Sequence, residues 1–220
     1  MYWIPVIISL LITLIASAHV RITFNKYKKV ANSRGMTGAE AARQMLWAHG
    51  LTNVSIEPIP GSLTDHYDPK TNTIRLSQDV FNVASVAAVG IAMHETGHAI
   101  QHAEGYTPVR IRTAIVKSTN ISSWVSYFLV LLGIMCSAPN LITLGIIAFC
   151  VVIFFQLVTL PVEFNASSRA INDLKASGLY CEEEIRCTKE MLNAAAMTYV
   201  AAVAVSLLHL LRLLAIRNRR

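Results

Sequence analysis

Apolar residues gather along this chain in four long runs, Tyr2 to Ala18, Ile121 to Ala138, Leu141 to Val162 and Ala194 to Ile216. Each approaches the ~20 residues that a membrane-spanning helix needs. Ala138-Pro139-Asn140 is short enough to fold the second and third runs into an antiparallel hairpin. Between the first and second runs the period changes. Thr37-Gly-Ala-Glu40 has the form of a capping box and opens a helix over Ala39 to Ala48, where Ala42, Met45 and Leu46 recur at helical spacing and Gly50 marks the end. Val54 to Ile59 alternates apolar and polar residues, and Pro58, Pro60 and Gly61 mark it as an edge strand. Leu63 to Tyr67 and Thr73 to Leu76 flank the turn-rich Asp68 to Asn72, which predicts a β-hairpin. A further helix follows, starting at Gln78 or Ser85 and reaching His102, and its approach from Ser85 to Met93 is small, apolar and uncharged. No internal repeat or low-complexity segment is visible.

Composition agrees with the four runs. At 220 residues, 54% hydrophobic and a mean hydropathy of +0.47, the chain is too apolar for a soluble domain and too short for several. The first run could be read as a signal peptide cleaved after Ala16-Ser17-Ala18. No basic residue precedes it, however, and Arg21, Lys26, Lys28 and Lys29 follow it, the pattern of an uncleaved anchor with its downstream side in the cytoplasm. Arg110, Arg112 and Lys117 before the second run, and Arg169, Lys175, Arg186 and Lys189 after the third, place the intervening region on the same side. The basic tail Arg217-Asn-Arg-Arg220 does not fit four such crossings. His209 and Arg212 in the last run read as side chains that snorkel to an interface. The net charge of +6 clusters beside apolar runs, so the expected partners are a lipid bilayer and a polypeptide substrate, with no nucleic acid. Cys136 and Cys150 lie within spans, and Cys181 and Cys187 lack zinc-ribbon spacing.

The chemistry is concentrated in His94-Glu95-Thr96-Gly97-His98. Residues four apart on an α-helix share a face, so His94 and His98 can present both imidazoles to one Zn²⁺ while Glu95 reaches a water as general base. A catalytic zinc normally takes three protein ligands. Gln101 and Glu104 stand where the longer metzincin pattern requires glycine and histidine, which excludes that family. His102 lies two turns from His94, roughly 12 Å along the axis, too far to close on the same ion. His66 in the hairpin is a further candidate. Glu163, just beyond the third run, would face the same side as the motif, although after Pro161 it is equally a first-turn acid that favours a helix dipole. For the oxyanion the candidates are His66, Tyr67, Asn165 and Arg169.

Several stretches resemble the YugP-like membrane zinc peptidases of bacteria. They are Phe24 to Lys29, Gly38 to Arg43, Leu63 to Pro69, Ile74 to Ser77, Ala92 to Gln101 and Leu157 to Ser167, in order along nearly the whole chain. A wider similarity is to membrane gluzincins such as the heat-shock HtpX-type proteases, which pair H-E-x-x-H with a glutamate after a later transmembrane hairpin. The resemblance implies Glu163 as third zinc ligand. In the wider group an aspartate usually stands four residues after that glutamate; this chain has Ser167.

The expected protein is therefore mainly α and membrane-embedded, with about four transmembrane helices and a small α+β zincin-like soluble domain between the first and second. Its expected parts are an anchor (1–20), a soluble peptidase domain (21–120), a transmembrane hairpin (121–162), a helical segment with the third ligand (163–193) and a last transmembrane helix with a basic tail (194–220). The expected function is zinc-dependent endopeptidase action on membrane or membrane-proximal polypeptides, in the bacterial plasma membrane with the catalytic domain cytoplasmic. Zn²⁺ would be held by His94, His98 and Glu163, with Glu95 as base. The alternatives are an intramembrane site-2-type protease and a non-catalytic zinc-binding scaffold.

Overall fold

The structure is a computed structural model and describes residues 3–218; Tyr2 of the first apolar run and Arg219 and Arg220 of the tail lie outside the described residues. The elements are α1 (Trp3–Tyr27), α2 (Gly38–Ala48), β1 (Ser55–Ile59), β2 (His66–Asp68), β3 (Thr73–Ser77), α3 (Gln78–Phe81), α4 (Val86–Ala103), α5 (Thr107–Met135), α6 (Pro139–Ser177) and α7 (Glu182–Arg217). Among the described residues the protein is mainly helical, with one three-stranded sheet. Two compact units divide it: Ala18–Val109 with Val162–Ala196, and Met1–Ser17 with Arg110–Pro161 and Met197–Arg220.

In the first of these, the sheet has the order β1-β3-β2, with β2 antiparallel to β3 as the hairpin pattern predicts and β1 at an edge. Unexpectedly, β1 runs parallel to β3, pairing Ile56 with Ile74 and Pro58 with Leu76. Central β3 is the buried strand: Ile74 and Leu76 have no exposed surface and pack on Leu46 of α2, Val80 of α3 and Ala88 and Ala92 of α4. Burying a leucine or isoleucine contributes about 1.5 to 3 kcal/mol. On its other side α4 meets a second cluster, in which Val86, Val89 and Met93 pack with Phe24, Met45, Leu174, Ile185 and Met191. A helix covered on both sides must be apolar nearly all round, which explains the alanine-rich approach to the histidines. The Asp68 carboxylate ties the hairpin by accepting from Arg75 at 3.0 Å, and with help from Lys70 N–H and Thr71 this holds its pKa down at about 2.

Helix starts follow the sequence signals. Thr37 and Glu40 form the reciprocal capping box of α2. Ser85 caps α4 by accepting from Ala88 N–H at 3.1 Å, so the motif helix begins there and not at Gln78, which opens the separate short α3. Glu184, in the first turn of α7, accepts from the backbone N–H of Cys181 and of Ser33.

Pro161 lies inside α6 and does not open a new helix. A mid-helix proline forfeits one backbone hydrogen bond. The helix continues because Val162, Ala166, Ala170 and Leu174, spaced by four, form a fully buried stripe that outweighs this loss.

The second unit is built from apolar helix. Ile142, Ile146 and Leu213 form its small core. Helices α5 and α6 approach closely where Gly133 faces Ile142 and Gly145 faces Val130, and Ser126 donates to the Gly145 carbonyl at 2.8 Å. Ile121, Trp124 and Phe128 are 62% to 79% exposed, a surface unsuited to water. Helices α1, α5, α6 and α7 are each long and apolar enough to cross a membrane.

Thr37→Ala removes one half of the capping box, and a loss of about 1 kcal/mol is expected, read as a lower thermal midpoint in detergent with unchanged helix content.

Candidate metal centre

Two helices build the site, both segments within one unit. On α4, His94 and His98 stand one turn apart, with ring centroids 4.8 Å apart and nearly perpendicular. On α6, Glu163 is 3% exposed and aims its carboxylate between them, Oε2 lying 3.4 Å from His94 Nε2 and 3.5 Å from His98 Nε2. The approach depends on Gly97, because a Cβ there would sit 2.7 Å from the Ala166 carbonyl oxygen and 3.1 Å from its Cα. Only glycine lets the two backbones come this close.

The donor set fits a zinc ion. Metal–ligand bonds of about 2.0 to 2.1 Å arranged tetrahedrally place neighbouring donors about 3.3 Å apart. Both imidazole–carboxylate distances are close to that edge, and the three side chains offer ligand atoms within 4.8 Å of one another. Each imidazole is also held from behind. His94 Nδ1 lies 3.1 Å from Ser167 Oγ and His98 Nδ1 lies 3.0 Å from Gln101 Oε1. With Nδ1–H donating to these oxygens, each Nε2 presents its lone pair to the ion. Gln101, wholly buried, donates in turn to the Val162 carbonyl at 2.8 Å and to Asn165 Oδ1 at 2.9 Å. Asn165 Oδ1 also accepts from Arg169 Nε at 2.8 Å, and Arg169 pairs with Glu104 at 2.6 Å.

Burial by itself pushes the His98 imidazole down, but hydrogen bonding to Glu163 and the carboxylates of Glu95 and Glu163 outweigh it, so its pKa is raised. Glu95, 9% exposed, also faces the charge of Asp65. Asp65 is anchored by the Ser77 N–H at 2.7 Å and the Ser77 hydroxyl at 3.1 Å, and burial pushes its carboxyl up.

Of the residues marked out in the sequence, the structure brings together His94, His98 and Glu163. His66 is exposed on β2 with Nδ1 on the Thr64 carbonyl, and His102 lies beside the Tyr67 ring; neither joins the cluster. Three oxyanion candidates are engaged elsewhere: the Tyr67 hydroxyl donates to Asn72, Asn165 bridges Gln101 and Arg169, and Arg169 holds Glu104. Sequence reasoning missed Gln101 as a support of the imidazoles and marked Ser167 only as a departure from the resemblance. Their spacing was the available signal, since Gln101 stands three residues after His98 and Ser167 four after Glu163, each on the neighbouring turn.

A family model described as "Putative neutral zinc metallopeptidase" matches residues 2–218. The chain is 48% identical over 197 residues to "Putative membrane protease YugP" of Bacillus subtilis (strain 168), covering 90% of this chain and 88% of that protein. No solved structure matches the chain. The chain belongs to this neutral zinc metallopeptidase family.

Gly97→Ala should push α6 away from α4 and lower zinc affinity by more than tenfold in a chelator competition, whereas Ser167→Ala, which removes only the acceptor behind His94, should cost about tenfold. Undiminished affinity in Gly97→Ala would contradict the close approach.

Proposed function

We propose that this family member is a membrane-anchored zinc endopeptidase of gluzincin type, acting on membrane or membrane-proximal polypeptides. His94, His98 and Glu163 hold the metal and Glu95 is the general base. The observation that carries this is the buried Glu163 carboxylate set between two imidazoles whose far nitrogens are already anchored. Bound there, zinc would acidify a water toward a pKa of ~7 and polarise the scissile carbonyl. Glu95, next to His94 on α4, would act as general base, taking a proton from the attacking water and returning it to the departing amine. Because α4 lies between two apolar clusters, the carboxylate works in a region of low dielectric where its charge is weakly screened. Strand β2 is the edge of the sheet that packs on α4, so an extended substrate can add to it by main-chain hydrogen bonds.

Two further readings fit less well. An intramembrane protease would carry its motif on a spanning helix, whereas α4 packs on a sheet and on α2. A structural zinc site is closed by four protein ligands, whereas the cluster among the described residues has three. Four apolar helices and the membrane-protease relative support membrane insertion. The basic residues flanking the runs support a cytoplasmic site in the bacterial plasma membrane.

Glu95→Gln should retain zinc and lose hydrolysis by at least a hundredfold, since glutamine keeps the shape but cannot accept a proton; equal turnover of a verified peptide by mutant and wild type would remove Glu95 from that role. In a background with the four native cysteines replaced by serine, an impermeant thiol reagent should label a cysteine at Asn140 and spare one at Asn72. The reverse pattern would invert the orientation.

A further inference from the structure

The apolar unit contains a cavity of about 300 Å³ between α5, α6 and α7, and its most unusual wall residue is charged. Val130, Ile134, Phe149, Leu213 and Ile216 give it an apolar lining, while Arg212 and His209 come from α7. The His209 ring sits edge-on against Phe149 at 5.0 Å. The sequence reads Arg212 as a snorkelling side chain, yet its Nε is shut off from solvent and has no hydrogen-bond partner among the described residues. Arg217, five residues on, differs: its Nε donates to Thr143 Oγ1 at 3.1 Å.

Arg212 is part-exposed and lines the groove with its Nε enclosed, and a cation placed against an apolar bundle favours a counter-charge. The unit cannot supply one, because Met1–Ser17, Arg110–Pro161 and Met197–Arg220 contain no aspartate or glutamate. An anion that pairs with Arg212 therefore comes from outside this unit, and the cavity constrains its form. On α5 the lining runs from Ser123 to Ile134, roughly 16 Å at 1.5 Å per residue. That equals about half of a ~30 Å hydrocarbon core, the depth of one leaflet. A small inorganic anion would satisfy Arg212 and leave the apolar length unfilled; an acyl chain without charge would do the reverse.

We propose that this cavity binds an anionic phospholipid, its phosphate on Arg212 and one acyl chain along the groove between α5 and α7. The arginine fork pairs naturally with phosphate oxygens, and Arg217 adds positive potential at the same end of α7.

Native mass spectrometry of the full chain, delipidated in detergent and then given phosphatidylglycerol or phosphatidylcholine, tests this. One phosphatidylglycerol should be retained at least tenfold more strongly than phosphatidylcholine, and millimolar inorganic phosphate should not displace it. Arg212→Leu should abolish the preference, and Ile134→Phe, which narrows the groove but keeps the charge, should weaken retention. Equal retention of the two lipids by the wild type would overturn the proposal without any variant, as would an unchanged preference in Arg212→Leu. Displacement by free phosphate would identify a simple anion site and overturn it too.

Discussion

The close contact of α4 with α6 at Gly97 and Ala166 is the constraint from which the site's geometry follows. Glu163 lies three residues before Ala166, so it can reach His94 and His98 only if the two backbones nearly touch. A larger residue at position 97 would hold the helices apart and leave a buried carboxylate facing apolar side chains. Removing one partner from a buried ion pair typically costs about 3 to 5 kcal/mol. Backbone proximity and charge balance are thus one requirement, met by a glycine in the middle of a helix where glycine is otherwise unfavourable.

Around that contact the polar groups are arranged to leave little freedom. Gln101 has the demanding position: its carbonyl faces His98 while its amide nitrogen serves two acceptors on α6. One side chain therefore fixes the imidazole and joins the two helices. Ser167 performs the corresponding task for His94 with a single hydroxyl. A neutral oxygen behind the imidazole adds no negative charge to a cluster that already contains Glu163 and Glu95.

Much of this was legible in the sequence, and the rest was hidden for identifiable reasons. The capping box, the hairpin and the four apolar runs are local patterns, and each has a local physical cause. The parallel pairing of β1 with β3 is not local, because nothing in either strand's alternation states its direction. Pro161 was ambiguous because a proline suits a helix start as well as it disfavours a helix interior. The buried stripe from Val162 to Leu174 decided the matter, and that stripe acquires meaning only once its partners are known. The two histidines and Glu95 could be read from spacing alone. The role of Glu163 came from resemblance, and its geometric support required the fold.

Charge distribution separates the two units more sharply than hydropathy does. All thirteen acidic residues belong to the unit that carries His94, His98 and Glu163, where the twelve basic residues nearly balance them. The apolar unit has seven basic residues and no acid, so the net charge of +6 originates there. A unit of this kind is electrostatically incomplete without anions at its surface, which a bilayer provides in its phosphates. Arg112 and Lys117, in the first half of α5, can meet such phosphates there. Arg212 differs in lining the groove, with its Nε enclosed and the residue part-exposed. For this residue the long apolar groove beside it is the route by which the proposed lipid reaches the charge.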